Sequence, residues 1–60
     1  MDNTLPKDPV ILLSYVNTNL RDYDKNFFEF CKRKGVKGQE ILEKLEQIDY
    51  TYDEKLNQFV

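Results

Sequence analysis

The sequence predicts a mainly α-helical domain with a small β element. Its architecture is a three-helix, helix-turn-helix-like domain with a C-terminal β-hairpin, winged-helix-like at most. Three observations predict it: apolar residues recur at spacings of three and four in three segments, Gly35 separates the second segment from the third, and the pattern changes to alternation after Ile48. The 60 residues suffice for one small domain. We assign residues 1–7 to a flexible N-terminal tail and residues 8–60 to the domain.

The composition excludes several classes of protein. Apolar residues make up 40% of the chain, which is too many for a disordered segment. The longest apolar run, residues 10–13, is far shorter than the roughly 20 residues that span a bilayer. The first residues do not resemble a secretory signal. The lone Cys31 cannot form an internal disulfide, and together these features predict a cytoplasmic protein.

The first helix is predicted to run from Pro9 to about Asp22. Asp8 suits the N-cap, where its carboxylate accepts backbone N–H groups, and proline at the first helical position loses no needed donor. Apolar residues at helical spacing predict the core face of this helix, which comprises Leu13, Val16, Leu20 and Tyr23.

This helix carries more apolar residues than one core face needs. Its polar stripe, which includes Ser14 and Thr18, is largely uncharged, and an uncharged polar stripe beside surplus apolar residues is typical of the rim of an interface. A structural role for Arg21, bonding backbone carbonyls of a neighbouring loop, is the alternative. The candidate interface residues are Val10, Ile11, Tyr15, Asn17 and Arg21.

The second helix is predicted from Phe27 to about Lys34. Asn26 and Glu29 fit a capping box at its start, and Gly35 suits the position that ends it. Its inward residues are predicted to be Phe27, Phe30 and Cys31, with Phe28 flanking them.

The third helix is predicted over about Gly38 to Ile48. Val36 and Ile41 fit a hydrophobic staple at its start, whereas Lys37 is a poor N-cap. The residues predicted to face inward are Ile41, Leu42, Leu45 and Ile48.

A short β-hairpin is predicted at about residues 50–53 and 57–60. Tyrosines alternate with threonine in the first strand, and the segment 53–56 suits a turn. We expect Tyr50, Tyr52 and Phe59 to pack the hairpin onto the helices. Its open edge offers a surface for pairing with another chain.

These motifs together resemble a family of short bacterial proteins classed only as a domain of unknown function. The matching signature comprises residues 5–9, 12–17 and 20–22, then Cys31, then residues 50–53 and 57–59, so the resemblance covers residues 5–60. The chain departs from the family pattern at Lys37-Gly38, where an acidic helix start is usual, and at Asp49, where glycine is usual. The resemblance implies no activity.

The basic end of the second helix raises an alternative function. Residues 25–37 carry a net charge of +4, and in a helix-turn-helix protein the next helix would enter the major groove. However, residues 38–60 carry a net charge of −4, so phosphates would repel the third helix. Weak nucleic-acid binding is therefore the alternative, and its candidate contacts are Lys32, Arg33, Lys34 and Lys37.

Enzymatic and metal-dependent functions are not predicted. Asp22, Asp24 and Asn26 match the first ligands of a calcium-binding EF-hand loop, but Arg33 replaces its bidentate glutamate. Cys31 has no histidine partner, because the chain contains none. We therefore expect no catalytic residues, no metal and no cofactor. The predicted function is a non-enzymatic interaction module that binds another protein or a second copy of itself.

Overall fold

Three helices and a β-hairpin follow one another in the computed structural model, which describes residues 5–60. This confirms the predicted fold class. Residues 1–4 of the expected tail lie outside the described residues, whereas Leu5 of the same segment packs against the core. The elements are α1 (Pro9–Asp22), α2 (Phe27–Lys34), α3 (Gly38–Glu46), β1 (Tyr52–Asp53) and β2 (Gln58–Phe59).

Local chemistry explains where α1 begins and where α2 begins and ends. The Asp8 carboxylate accepts the Val10 N–H at 2.8 Å, and the Asn26 side chain accepts the Glu29 N–H at 2.8 Å. Gly35 has a φ of 67°, a left-handed conformation that glycine adopts without a steric penalty. Both helices therefore have the bounds that the sequence predicts.

The third helix ends at Glu46, two residues before the predicted end. The chain turns at Asp49, whose φ is 66°, and the Tyr50 N–H returns to the carbonyl of Leu45 at 2.9 Å. This 6→1 hydrogen bond, from Tyr50 back to Leu45, is typical of a Schellman motif, and Asp49 is the residue in the left-handed conformation. The predicted helix was therefore too long, because Asp49 reverses the backbone.

Replacing Asp49 with glycine is expected to stabilise the protein. An aspartate at positive φ is sterically disfavoured, whereas glycine adopts this conformation readily. The Asp49 side chain is exposed, so the substitution removes no buried contact. We expect the free energy of unfolding in urea to rise by about 0.5–1 kcal/mol. The exposed Glu43→Gly variant, in the interior of α3, should lower it by a similar amount, and a loss of stability in Asp49→Gly would contradict this explanation.

The core is formed by one face of α1, the inner faces of α2 and α3, and the end of β2. Tyr23, predicted to lie inward, is 73% exposed, because α1 ends at Asp22 and the backbone of Tyr23 leaves the helical path. Leu13 is only half-buried, and Leu42 is exposed. The fully enclosed apolar residues are Leu12, Val16, Leu20, Phe30, Ile41, Leu45 and Phe59.

The hairpin is shorter than predicted and packs against α1. Tyr52 lies opposite Phe59, and the Thr51–Val60 pair adds two backbone hydrogen bonds of 3.0 and 2.9 Å. Asn57 cannot extend β2, because its φ is 53°. The Asp53 carboxylate accepts the Lys55 and Leu56 N–H groups and thereby fixes the turn.

Candidate functional site

The side chain of Asn17, on α1, joins β2 to the helices by two hydrogen bonds. Its Oδ1 accepts the Phe59 N–H at 2.8 Å, and its Nδ2 donates to the Phe59 carbonyl at 3.2 Å. Because the Tyr52–Phe59 pair is not the hydrogen-bonded pair of the ladder, these two groups of Phe59 point away from β1. Asn17 thus occupies the edge of β2 at Phe59, and that edge is not open there.

Asn57 joins the hairpin to the end of α1 and the start of α2. Its Nδ2 donates to the carbonyls of Leu20 and Asp24 at 3.0 and 2.9 Å. Its Oδ1 accepts the Tyr52 hydroxyl at 2.7 Å, and that hydroxyl accepts the Phe27 N–H at 3.1 Å. Sequence reasoning missed this role of Asn57, although asparagine is among the residues that most often adopt positive φ.

Arg33 is bound within the fold. Its Nε and Nη2 donate to the two oxygens of Asp24 at 2.9 and 2.7 Å, and Nη2 also donates to the Asn19 side chain at 2.8 Å. Asp24 is almost fully buried, and its hydrogen bonds raise the pKa of the Arg33 guanidinium. The Arg33 guanidinium also stacks on the Tyr23 ring at 5.5 Å. This candidate phosphate contact therefore stabilises the junction between α1 and α2.

The three lysines of the basic cluster lie on the surface of α2 and at the start of α3. The Lys32 ammonium lies 6.0 Å from the centre of the Phe28 ring, and that of Lys34 lies 5.3 Å from the centre of the Tyr15 ring. Lys37 is exposed at the N-cap of α3 and makes no side-chain cap. The following helix exposes glutamates, namely Glu40, Glu43 and Glu46.

The five candidate interface residues are divided between three places. Ile11 is 57% exposed on the solvent side of α1, whereas Tyr15 is half-buried and its ring packs edge-on against Phe30. Val10, Asn17 and Arg21 line one groove. Arg21 is exposed and pairs with Asp22 at 2.9 Å, a hydrogen bond that raises the pKa of Arg21 and lowers that of Asp22.

This groove runs between α1 and the turn of the hairpin and has a volume of about 670 Å³. Apolar walls are provided by Val10 and Leu56, which are 62% and 59% exposed. We define the α1 face as the exposed residues of α1 that line this groove, together with Leu56 of the turn. Its members are Val10, Ser14, Thr18, Arg21 and Leu56.

The α1 face carries no charge along most of its length. Residues 9–20 contain no charged residue, although one residue in three is charged in the chain as a whole. Within that run Val10, Ile11, Ser14 and Thr18 are exposed to solvent. A helix surface in contact with water usually carries charged residues, so this composition is typical of a surface that another molecule covers.

A second groove, of about 980 Å³, lies between α2, the start of α3 and β1, and aromatic side chains line it. Gly38 lets the start of α3 approach α2 closely, since an added Cβ would lie 3.0 Å from the Phe27 ring and 3.1 Å from the Cys31 Sγ. Burial raises the pKa of the Cys31 thiol, and the Asp24 carboxylate raises it further. The thiol is therefore predominantly protonated near neutral pH and is a poor nucleophile.

The described part of the chain, residues 5–60, contains no group of three Asp, Glu, Cys or His side chains placed to hold a metal ion. Within the same range, no helix is long and apolar enough to cross a membrane.

Comparison with known proteins identifies the family. The family model described as Domain of unknown function (DUF4250) matches residues 6–59, which is most of the sequence, and the chain therefore belongs to this family. This agrees with the resemblance drawn from the sequence. No curated protein and no solved structure matches the chain.

Proposed function

We propose that this member of the DUF4250 family is a non-enzymatic interaction module that binds a protein surface through its α1 face. The observation that carries the proposal is the exposed, uncharged surface of residues 9–20. The centres of protein interfaces are depleted of charged residues, whereas their rims are polar. Arg21 and Asp22 lie at one end of the face and would form part of such a rim.

The fold itself does not require the exposed apolar residues of this face. Val10 and Leu56 are each more than half exposed, and neither belongs to the core or to the partly buried residues that pack against it. Asn17, by contrast, uses both polar atoms of its side chain to bond the backbone of β2, so we exclude it from the proposed contact surface. The side chains proposed to touch a partner are Val10, Ser14, Thr18, Arg21 and Leu56.

Nucleic-acid binding is the less supported alternative. Of its four candidate contacts, Arg33 is held by Asp24 and Asn19. The helix that would enter a groove of DNA exposes three glutamates. Most non-specific affinity for nucleic acid comes from cations that meet phosphates, so three lysines beside the exposed glutamates of α3 favour only weak binding.

A photo-crosslinking residue at position 14 tests the proposed function in cells that produce the chain. Ser14 is exposed in the middle of the α1 face, so we expect illumination to give one discrete adduct, of which mass spectrometry identifies the partner. Adding Val10→Glu should remove most of the adduct, because a charge would enter the apolar contact.

The matched control carries the same crosslinker at Gln39, an exposed helical position on α3. We expect no discrete adduct from it. Equal adducts from positions 14 and 39, or none from position 14, would contradict a docking role for the α1 face.

A further inference from the structure

We propose that the partner of the α1 face is a second copy of this chain, whose α1 packs antiparallel to the first about a two-fold axis near Ser14. This inference rests on the proposed function and names its partner. In such a symmetric contact the same patch serves both copies, so every pairing occurs twice. Three observations support it: the charges at the ends of α1, the sizes of its side chains, and the apolar Leu56 of the hairpin turn beside it.

The charges at the two ends of α1 are complementary under antiparallel packing. Lys7 and Asp8 precede the helix, and Arg21 and Asp22 end it, with no charge between them. Antiparallel helices bring the start of one beside the end of the other. Asp8 then faces Arg21 of the second copy, and Lys7 faces its Asp22. Parallel packing would instead bring the two Arg21 side chains together, and such like-charge contacts oppose association.

Side-chain sizes allow the two helices to approach closely at the middle. Val10, Ser14, Thr18 and Arg21 follow one another at spacings of four, four and three, which is one stripe of a helix. The smallest of them, Ser14, lies near the centre of the stripe. Val10 of each copy then packs against Ser14 and Thr18 of the other, as in the ridges-into-grooves packing of helices.

The turn of the hairpin adds one apolar side chain, Leu56, to the same contact. Leu56 lines the groove beside α1, so a second helix seated there would cover both Leu56 and Val10. A stable interface needs about 800 Å² from each partner, which is close to a fifth of the 4373 Å² that the chain exposes. One helix face with one turn supplies less, so we expect weak, reversible dimerisation.

Sedimentation equilibrium of the full chain, from about 10 μM to about 1 mM, tests this inference. We expect a monomer–dimer equilibrium whose midpoint falls within this range of concentrations. Raising the salt from about 0.05 M to 0.5 M should weaken the dimer only partly, by less than about tenfold, because salt screens the charge pairs at the helix ends and leaves the uncharged middle of the contact intact. Association through the basic residues 25–37 and the acidic residues 38–60 would instead disappear in salt, and that result would overturn the proposal.

Two variants with the same added charge locate the contact. Ser14→Arg brings two cations together at the two-fold axis, so the dimer should weaken about tenfold or more. Gln39→Arg adds the same charge on α3 and should leave the Kd unchanged. Both positions are exposed and helical, and arginine favours a helix at least as well as either original residue, so thermal unfolding should confirm that both variants fold.

A disulfide trap tests the two-fold axis itself. In a Cys31→Ala background, Ser14→Cys should oxidise to a covalent dimer faster than Gln39→Cys, because the axis brings the two thiols together. A monomer at every concentration, together with equal oxidation of both variants, would overturn the inference. A heterologous adduct from the crosslinker at position 14 would then still support the proposed function, whereas the absence of any adduct would remove both.

Discussion

Replacing Phe59 with alanine is expected to remove about a third or more of the free energy of unfolding. The Phe59 ring is fully buried, and its centre lies 5.3 Å from that of Phe27 and 5.4 Å from that of Tyr52. Removing a buried phenylalanine ring costs about 3–5 kcal/mol, and a domain of 60 residues has a total stability of roughly 3–9 kcal/mol. Urea titration followed by far-UV circular dichroism measures the loss.

The matched control for this variant is Phe28→Ala on α2. Phe28 is 69% exposed, so the same change of side chain should lower the free energy of unfolding by less than about 0.5 kcal/mol. Equal losses in the two variants would contradict the account in which Phe59 anchors the hairpin to the core.

Replacing Asn57 with alanine is expected to lower the free energy of unfolding by roughly 2–4 kcal/mol. The variant removes three hydrogen bonds, which leaves the Leu20 and Asp24 carbonyls and the Tyr52 hydroxyl without this partner. Alanine at a φ of 53° also has the steric strain of a β-carbon, without the polar side chain that lets asparagine tolerate this conformation. The measurement is again urea unfolding, at a pH where the carboxylates are ionised.

Two further variants separate the causes of that loss. Asn57→Gly removes the same hydrogen bonds but tolerates the positive φ, so it should be less damaging than Asn57→Ala by about 1 kcal/mol. Gln58→Ala changes the exposed neighbouring residue and should have little effect. If Asn57→Ala unfolded at the same urea concentration as the unaltered protein, the joining role of Asn57 would be refuted.

The helices could be predicted from the sequence because local chemistry determines where they begin and end. Asp8, Asn26 and Gly35 act within four residues of themselves, and their capping roles are visible in the sequence alone. The end of α3 could not be predicted as well. It depends on Asp49 adopting a conformation that sequence patterns favour only weakly for aspartate.

The roles of the polar side chains could not be predicted, because they depend on contacts between distant parts of the chain. Asn17 meets Phe59 across 42 residues, and Asn57 meets Leu20 across 37. Spacing within a helix places Asn17 beside the outer stripe but cannot reveal that β2 covers it. For the same reason Arg33 was interpreted as a candidate phosphate contact, whereas its guanidinium bonds Asp24, nine residues earlier in the chain.

The candidate site was recognisable in outline. Val10 and Arg21 were selected from the apolar surplus and the uncharged stripe of the first helix, and the structure places both beside one groove. Leu56 was missed, because only the folded hairpin brings it next to α1. The stronger signal, the uncharged run of residues 9–20, is present in the sequence, but its meaning depends on knowing which of these residues are exposed.

The most direct test of the account is a dilution series of ¹⁵N-labelled protein followed by amide chemical shifts, from about 1 mM to about 20 μM. We expect the concentration-dependent shifts to concentrate on Val10, Ser14, Thr18, Arg21 and Leu56. Shifts confined to the lysines of α2 and the glutamates of α3 would contradict a contact through the α1 face, and a spectrum that does not change with concentration would contradict the dimer.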